Sequence, residues 1–167
     1  MNLRIFGIVE ESIVDGPGIR FTVFTQGCPH NCFGCHNPES HDFNKGVLVP
    51  VEVILEKIKK NPLIDGVTFS GGEPFMQIEP IIYLCREIKK LGLSVIIYTG
   101  FLWEQLIEDE KCKELLKYVD IIIDGKFQME KRNLSLKFTG SENQRIIDVK
   151  CSMENNSCVE MDSSSYR

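Results

Sequence analysis

Short β-rich runs alternate along this chain with stretches of helical period, and few folds absorb that order. The runs LRIFGIV (3–9), IRFTVFTQ (19–26), GVTFS (66–70), LSVIIYT (93–99) and VDIIID (119–124) carry the branched and aromatic side chains that suit a pleated, buried surface. Between the later runs, Val51, Ile54, Leu55 and Ile58 recur at i, i+3, i+4 and i+7, as do Ile81, Leu84, Cys85 and Ile88. Each of these two stretches is therefore predicted to be a helix with one buried face. A third, weaker helix is predicted over 102–117, turning Leu102, Leu106, Leu115 and Leu116 inward. Alternation of this kind predicts an α/β fold, a mostly parallel sheet with helices outside. Five strands are too few to close an eight-stranded barrel, which typically takes about 250 residues. An incomplete, partial β/α barrel is expected over residues 1–150. NLSLKFTG and RIIDVK near its end read as further strands or a packed segment, and 151–167 reads as a polar C-terminal tail.

With 167 residues the chain has the material for one core. A net charge of −5 gives no electrostatic footprint for nucleic acid. No apolar run reaches the roughly 18 residues of a membrane helix. The first residues, MNLRIFGIVEESIVDGPG, lack the apolar core of a secretory signal. A soluble, cytoplasmic protein is expected, with neither nucleic acid nor membrane as partner. In a reducing compartment its seven cysteines read as metal ligands or buried apolar groups rather than as a disulfide framework. Their distribution separates the two cases: Cys28, Cys32 and Cys35 cluster, whereas Cys85, Cys112, Cys151 and Cys158 are scattered.

In a parallel sheet the loops that follow the strands open on one edge, where ligands bind. That places four motifs on one rim: the cysteine loop TQGCPHNCFGCHNPESH after 19–26, GGEP after 66–70, TG after 93–99 and DGK after 119–124. Three thiolates at C-x3-C-x2-C can hold three corners of a cubane iron–sulfur cluster, which normally takes four cysteines. One iron is then left for a small molecule. The competing reading is a Cys3His zinc site with His30, His36 or His41 as the fourth ligand, although zinc sites usually pair C-x2–4-C units and no second pair follows. VTFSGGEPF (67–75) sets two glycines and an acid at a strand end, where the absent side chains let a ligand approach the backbone.

C-x3-C-x2-C followed by GGEP resembles the radical S-adenosylmethionine superfamily. The resemblance implies a 4Fe-4S cluster on Cys28, Cys32 and Cys35, with S-adenosylmethionine on its free iron. It also implies that Gly71, Gly72 and Glu73 hold the methionine end of that cofactor, and that the backbone around Gly34, Cys35 and His36 lies against its adenine. Most members have an aromatic residue where this chain has Gly34, which points to a subgroup. ESIVDGPGIRFTVFTQGCPHNCFGCHNPESHDF (11–43) resembles the glycyl-radical-enzyme activating proteins in general. DGKFQMEKRNLSLKFTGSENQRIIDV (124–149) is similar to the C-terminal part of those that activate the anaerobic ribonucleoside-triphosphate reductase. The implied partners are the large catalytic subunit of that reductase, as protein substrate, and a flavodoxin-like or other low-potential electron donor. The alternatives are an activator of pyruvate formate-lyase, a radical enzyme acting on a small molecule such as a deazapurine precursor, and a non-catalytic zinc-binding interaction module.

Other residues carry weaker signals. Asp124 and Lys126 are candidates for the ribose or carboxylate of the cofactor, or form only a solvated turn. Thr99 and Gly100 read as structural. Asn143, Gln144 and Arg145 are candidates for partner or cofactor contacts, or for a capped turn. Gly16 and Gly18 permit a tight path before the strand that leads to the cysteines, and Arg20 takes no role. Cys85 and Cys112 read as apolar filling. Cys151 and Cys158 read as incidental, since a second cluster would need four suitably spaced thiols.

Overall fold

The computed structural model describes residues 1–162; the last part of the expected tail, 163–167, lies outside them. Seven strands form one sheet: β1 (Asn2–Ser12), β2 (Arg20–Thr25), β3 (Val47–Pro50), β4 (Gly66–Gly71), β5 (Ser94–Tyr98), β6 (Ile121–Asp124) and β7 (Arg145–Asp148). Their order is β3-β1-β2-β4-β5-β6-β7. Its centre is parallel, β2 to β4 to β5 to β6, with Thr25 opposite Gly71 and Tyr98 opposite Ile123. The three outer strands run antiparallel to their neighbours. Only the loop 13–19 separates β1 from β2, and a parallel crossover needs a dozen or more residues, so this pair has to be antiparallel. The short β3 escapes the sequence reading because it is a mostly exposed edge of four residues.

Helices α1 (Val51–Lys60) and α2 (Ile78–Lys90) form where the periodicity places them, and all eight residues of the two apolar stripes are buried. The third helix differs from expectation. It is two pieces, α3 (Trp103–Leu106) and α4 (Glu110–Leu116), because the Asp109 carboxylate accepts the Cys112 N–H and starts a new helix there. Leu106, Leu115 and Leu116 are buried as expected, but Leu102 caps α3 and is 45% exposed. A last helix, α5 (Val149–Asn155), buries Val149 and Ser152.

Alternation along the strands divides the interior. Phe21, Val23, Val67, Phe69, Val95, Ile97 and Ile122 join the helices in the main core. On the opposite face Ile96, Ile123 and Ile146 form a smaller cluster with Tyr98 and Phe138. The parallel strands end together at Thr25, Gly71, Tyr98 and Asp124, and that shared edge is where the site is built. Among the described residues no helix is long and apolar enough to cross a membrane.

Candidate functional site

The cysteine loop leaves the end of β2 and is tied shut at its base. Gly27 N–H donates to Ser40 O, Cys28 N–H donates to His41 O at 3.1 Å, and the buried Gln26 amide donates to both Glu39 O and Asp42 O. Inside the loop, Cys35 N–H closes a tight turn onto Cys32 O. The third residue of that turn needs a positive φ, which Gly34 supplies at +76°. Gly34 also packs beneath Met129, whose Sδ would lie 2.9 Å from an added Cβ. A glycine at this position is thus suited to the turn and to its neighbour. Gly34→Ala should cost about 1–2 kcal/mol, the usual cost of a left-handed L-residue, read as a lower urea midpoint of the metal-free chain.

The strand end opposite is equally constrained. Gly71 has φ +89°, and a Cβ there would lie 2.6 Å from Thr25 N; one on Gly72 would lie 2.5 Å from Gly27 O. Both glycines exist so that β4 can run on beside the start of the cysteine loop, through Gly72 N–H to Thr25 O and Glu73 N–H to Gly27 O, each 2.8 Å.

These segments enclose a recess of about 110 Å³, lined by Cys28, Cys32 and Cys35 together with Gly71, Gly72, Thr99, Gly100 and Lys126. All four predicted rim motifs therefore meet at one place. Cys35, Ser70, Tyr98, Phe127 and Gln144 are shared with a cavity of about 480 Å³ that continues outward past His36, Val14 and Leu134. Burial pushes the Cys28 thiol up to about 11, and the nearby Glu73, Cys32 and Cys35 add to the shift. Burial also raises Cys32, against the Phe127 N–H and the charge of Lys126, which favour its thiolate. The Cys28 and Cys32 thiols are thus disfavoured as thiolates in the recess, and a positively charged centre held there removes that penalty.

Cys28, Cys32 and Cys35 all line the recess, and among the described residues no three His, Cys, Asp or Glu side chains are already drawn together as metal ligands. Three cysteines on one loop are the donor set that a cubane with one iron free of protein ligands would take. Of the three histidines weighed as a fourth zinc ligand, His30 is bonded to Glu73 at 2.7 Å and His36 packs edge-on against Phe127, whereas His41 lines the recess with its Nε2 3.3 Å from Cys35 Sγ.

Several candidate residues stand elsewhere than their position in the sequence implies. Glu73 is wholly buried under the recess, accepting from Phe75 N–H, Thr99 Oγ1, Gly100 N–H and His30. Asp124 is also wholly buried, accepting from Trp103 N–H and from Arg145, which in turn binds Glu104. Asn143 spans Lys126 O and Ser141, while Gln144 bonds Gly125 O and still lines the recess. The sequence reading considered His30 and His41 only as zinc ligands and did not single out Tyr98 or Phe127. A place at the end of β5 for Tyr98, and just beyond the end of β6 for Phe127, is the signal the sequence carries for them.

The family model for the 4Fe-4S single cluster domain matches residues 14–147. The anaerobic ribonucleoside-triphosphate reductase-activating protein of Haemophilus influenzae is 34% identical over 80% of this chain and 90% of its own length. That of bacteriophage T4 is 36% identical over 80% of this chain and 86% of its own. The chain belongs to the reductase-activating family of 4Fe-4S single cluster proteins. The pyruvate formate-lyase-activating enzyme of Clostridium pasteurianum is 36% identical over 72% of this chain, but over only 50% of that enzyme. Membership of the reductase-activating family therefore rests on matches that cover 80% of this chain and 86–90% of the relatives. The segment 124–147, where Lys126, Phe127 and Gln144 close the recess, lies inside the family match.

Proposed function

We propose that this protein activates an anaerobic ribonucleoside-triphosphate reductase by making a glycyl radical in its large subunit. The observation that carries the reading is the meeting of three cysteines and a Gly-Gly strand end in one recess that opens into a larger cavity. Cys28, Cys32 and Cys35 would hold a 4Fe-4S cluster, leaving one iron without a protein ligand. The chemistry such a cluster would supply, once reduced by one electron, is cleavage of S-adenosylmethionine to methionine and a 5′-deoxyadenosyl radical, which would take a hydrogen atom from a glycine of the reductase and leave as 5′-deoxyadenosine.

The chain's own groups divide the remaining tasks. Gly72 and Glu73 N–H are spent on Thr25 O and Gly27 O, so the motif offers a ligand its carbonyl oxygens, which suit the cofactor's ammonium group. Lys126, on the recess wall, supplies the charge for a carboxylate. His36, Phe127 and Tyr98 line the passage outward, where the adenosine would lie. Val14 and Leu134 at the cavity wall are 71% and 80% exposed, an apolar mouth fitted to a segment of another protein. The open sheet is read as the incomplete barrel of the radical S-adenosylmethionine fold, which leaves that mouth accessible. The donor is taken to be a flavodoxin-like protein, because the cluster must work toward the reducing end of the range for such centres, about −700 to +450 mV.

The test is anaerobic reconstitution with iron and sulfide, followed by reductant, S-adenosylmethionine and the reductase. A glycyl doublet in the electron paramagnetic resonance spectrum, dependent on every component, is expected. Uptake of one zinc without iron or sulfide would overturn the assignment, and a doublet formed only with pyruvate formate-lyase would move it to that partner.

A further inference from the structure

His30 lies between the first two cysteines of the loop, and its imidazole is turned down into the protein. Its side chain is 5% exposed and stands edge-on to Phe101 with centroids 4.6 Å apart. With its proton on Nε2, it donates to Glu73 Oε2 at 2.7 Å. The same carboxylate takes Phe75 N–H at 3.1 Å, Gly100 N–H at 2.8 Å and Thr99 Oγ1 at 2.9 Å. One fully buried carboxylate therefore joins the cysteine loop, the end of β4 and the end of β5. Gly100 makes room for the contact, because a Cβ there would overlap the His30 ring.

We propose that His30 and Glu73 are positioning residues, a buried strut that sets the cysteine loop at a fixed distance from the Gly71–Gly72 strand end. The inference rests on the function proposed above. A cofactor gripped by the cluster at one side and by the strand end at the other needs those two parts held together. Displacement by about 1 Å in such a constellation costs on the order of a hundredfold. Their role is position alone, although the resemblance gives Glu73 to the methionine end of the cofactor and His30 lies at the recess wall. Glu73 in particular is spent on internal donors and does not line the recess. The backbone bond from Glu73 N–H to Gly27 O anchors the start of the loop to the strand end, and the His30 contact extends that tie to the stretch between Cys28 and Cys32.

The test uses the reconstituted protein and titrates S-adenosylmethionine against the electron paramagnetic resonance signal of the reduced cluster. Iron content and the melting point of the metal-free chain are measured in parallel. His30→Leu, which cannot reach Glu73 with a donor, should keep its iron and weaken cofactor binding at least tenfold. His30→Gln, whose amide N–H can still bond the carboxylate, should recover to within about threefold of the native affinity. Glu73→Gln should weaken binding as well, and combining it with His30→Leu should add nothing, because both break one strut.

A native affinity in His30→Leu overturns the proposal. So does a His30→Gln variant no better than His30→Leu, or a double variant in which the two losses multiply. Loss of iron at an unchanged melting point would place His30 in cluster coordination and overturn it too. Should His30→Leu melt early, the comparison of His30→Gln with Glu73→Gln carries the test. If the native protein itself takes up no cluster or shows no response to S-adenosylmethionine, it is the proposed function that fails.

Discussion

Cys32→Ala is expected to reduce the iron of the reconstituted protein from about four per chain, the content of a cubane, to background, and to abolish glycyl radical formation. The cost to the fold should be small. Cys32 is only partly buried in a surface loop, so the metal-free variant should melt within a few degrees of the native chain. Cys85 supplies the opposite phenotype. It is fully buried in the main core on α2, and burial pushes its thiol well above the ordinary range. Cys85→Ala should retain full iron and radical yield while losing about 1–2 kcal/mol of stability to the cavity. The pair is checked by iron and sulfide analysis alongside urea denaturation. Full iron in Cys32→Ala, or lost iron in a folded Cys85→Ala, would mean that the cluster is not held by this loop.

Much of the arrangement behind that contrast is legible in the sequence, because it depends on the order of elements. The helical stripes Val51–Ile58 and Ile81–Ile88 bury as written, and the runs ending near 25, 70, 98 and 124 become neighbouring parallel strands. Once those four strands are parallel, the loops after them must share an edge. Cys28, Gly71, Thr99 and Lys126 then meet without any knowledge of side-chain direction. Gly34 is less legible: the sequence marks it only as a departure from the aromatic residue of the superfamily it resembles, and its use in a turn at φ +76° shows in the structure.

What the sequence hides is the direction in which a loop side chain turns. Glu73 and Asp124 both sit at strand ends on the binding rim, yet both point inward and spend their oxygens on backbone N–H groups and on residues distant in the chain. An acid in such a place serves a ligand or the fold equally well by its spacing. Only the donors that surround it decide, and those come from elements brought close by the tertiary fold. The break between α3 and α4 is a milder case. The leucine spacing over 102–117 continues through it, and Asp109 becomes a cap because its carboxylate reaches the Cys112 N–H.

Arg20 is the extreme instance, a residue with no role in sequence and one of the largest fully buried side chains in the chain. It begins β2, at the end of the sheet away from the cysteines, and its guanidinium donates to Thr68 Oγ1, Ser94 Oγ, Ser94 O, Val67 O and Pro17 O. One planar fork thus ties β2 to β4, β5 and the preceding loop, whose Val14 and Asp15 line the outer cavity. All five acceptors are neutral. Burial pushes its pKa down to about 10, with the more distant Asp120, Asp65 and Tyr98 opposing the shift. Arg20→Met keeps the bulk and strips every donor, leaving Val67 O and Ser94 O without this partner. The expected loss is about 3 kcal/mol, the sum of charged hydrogen bonds removed and acceptors left dry. For a chain of this size that is a fall in Tm of about 6–12 °C. Arg20→Lys should recover only part of it, because an ammonium cannot reproduce the fork. An unchanged urea midpoint in Arg20→Met would show that the buried cation is no brace. A loss confined to the Met variant, with Lys fully native, would show that its charge matters and its planar geometry does not.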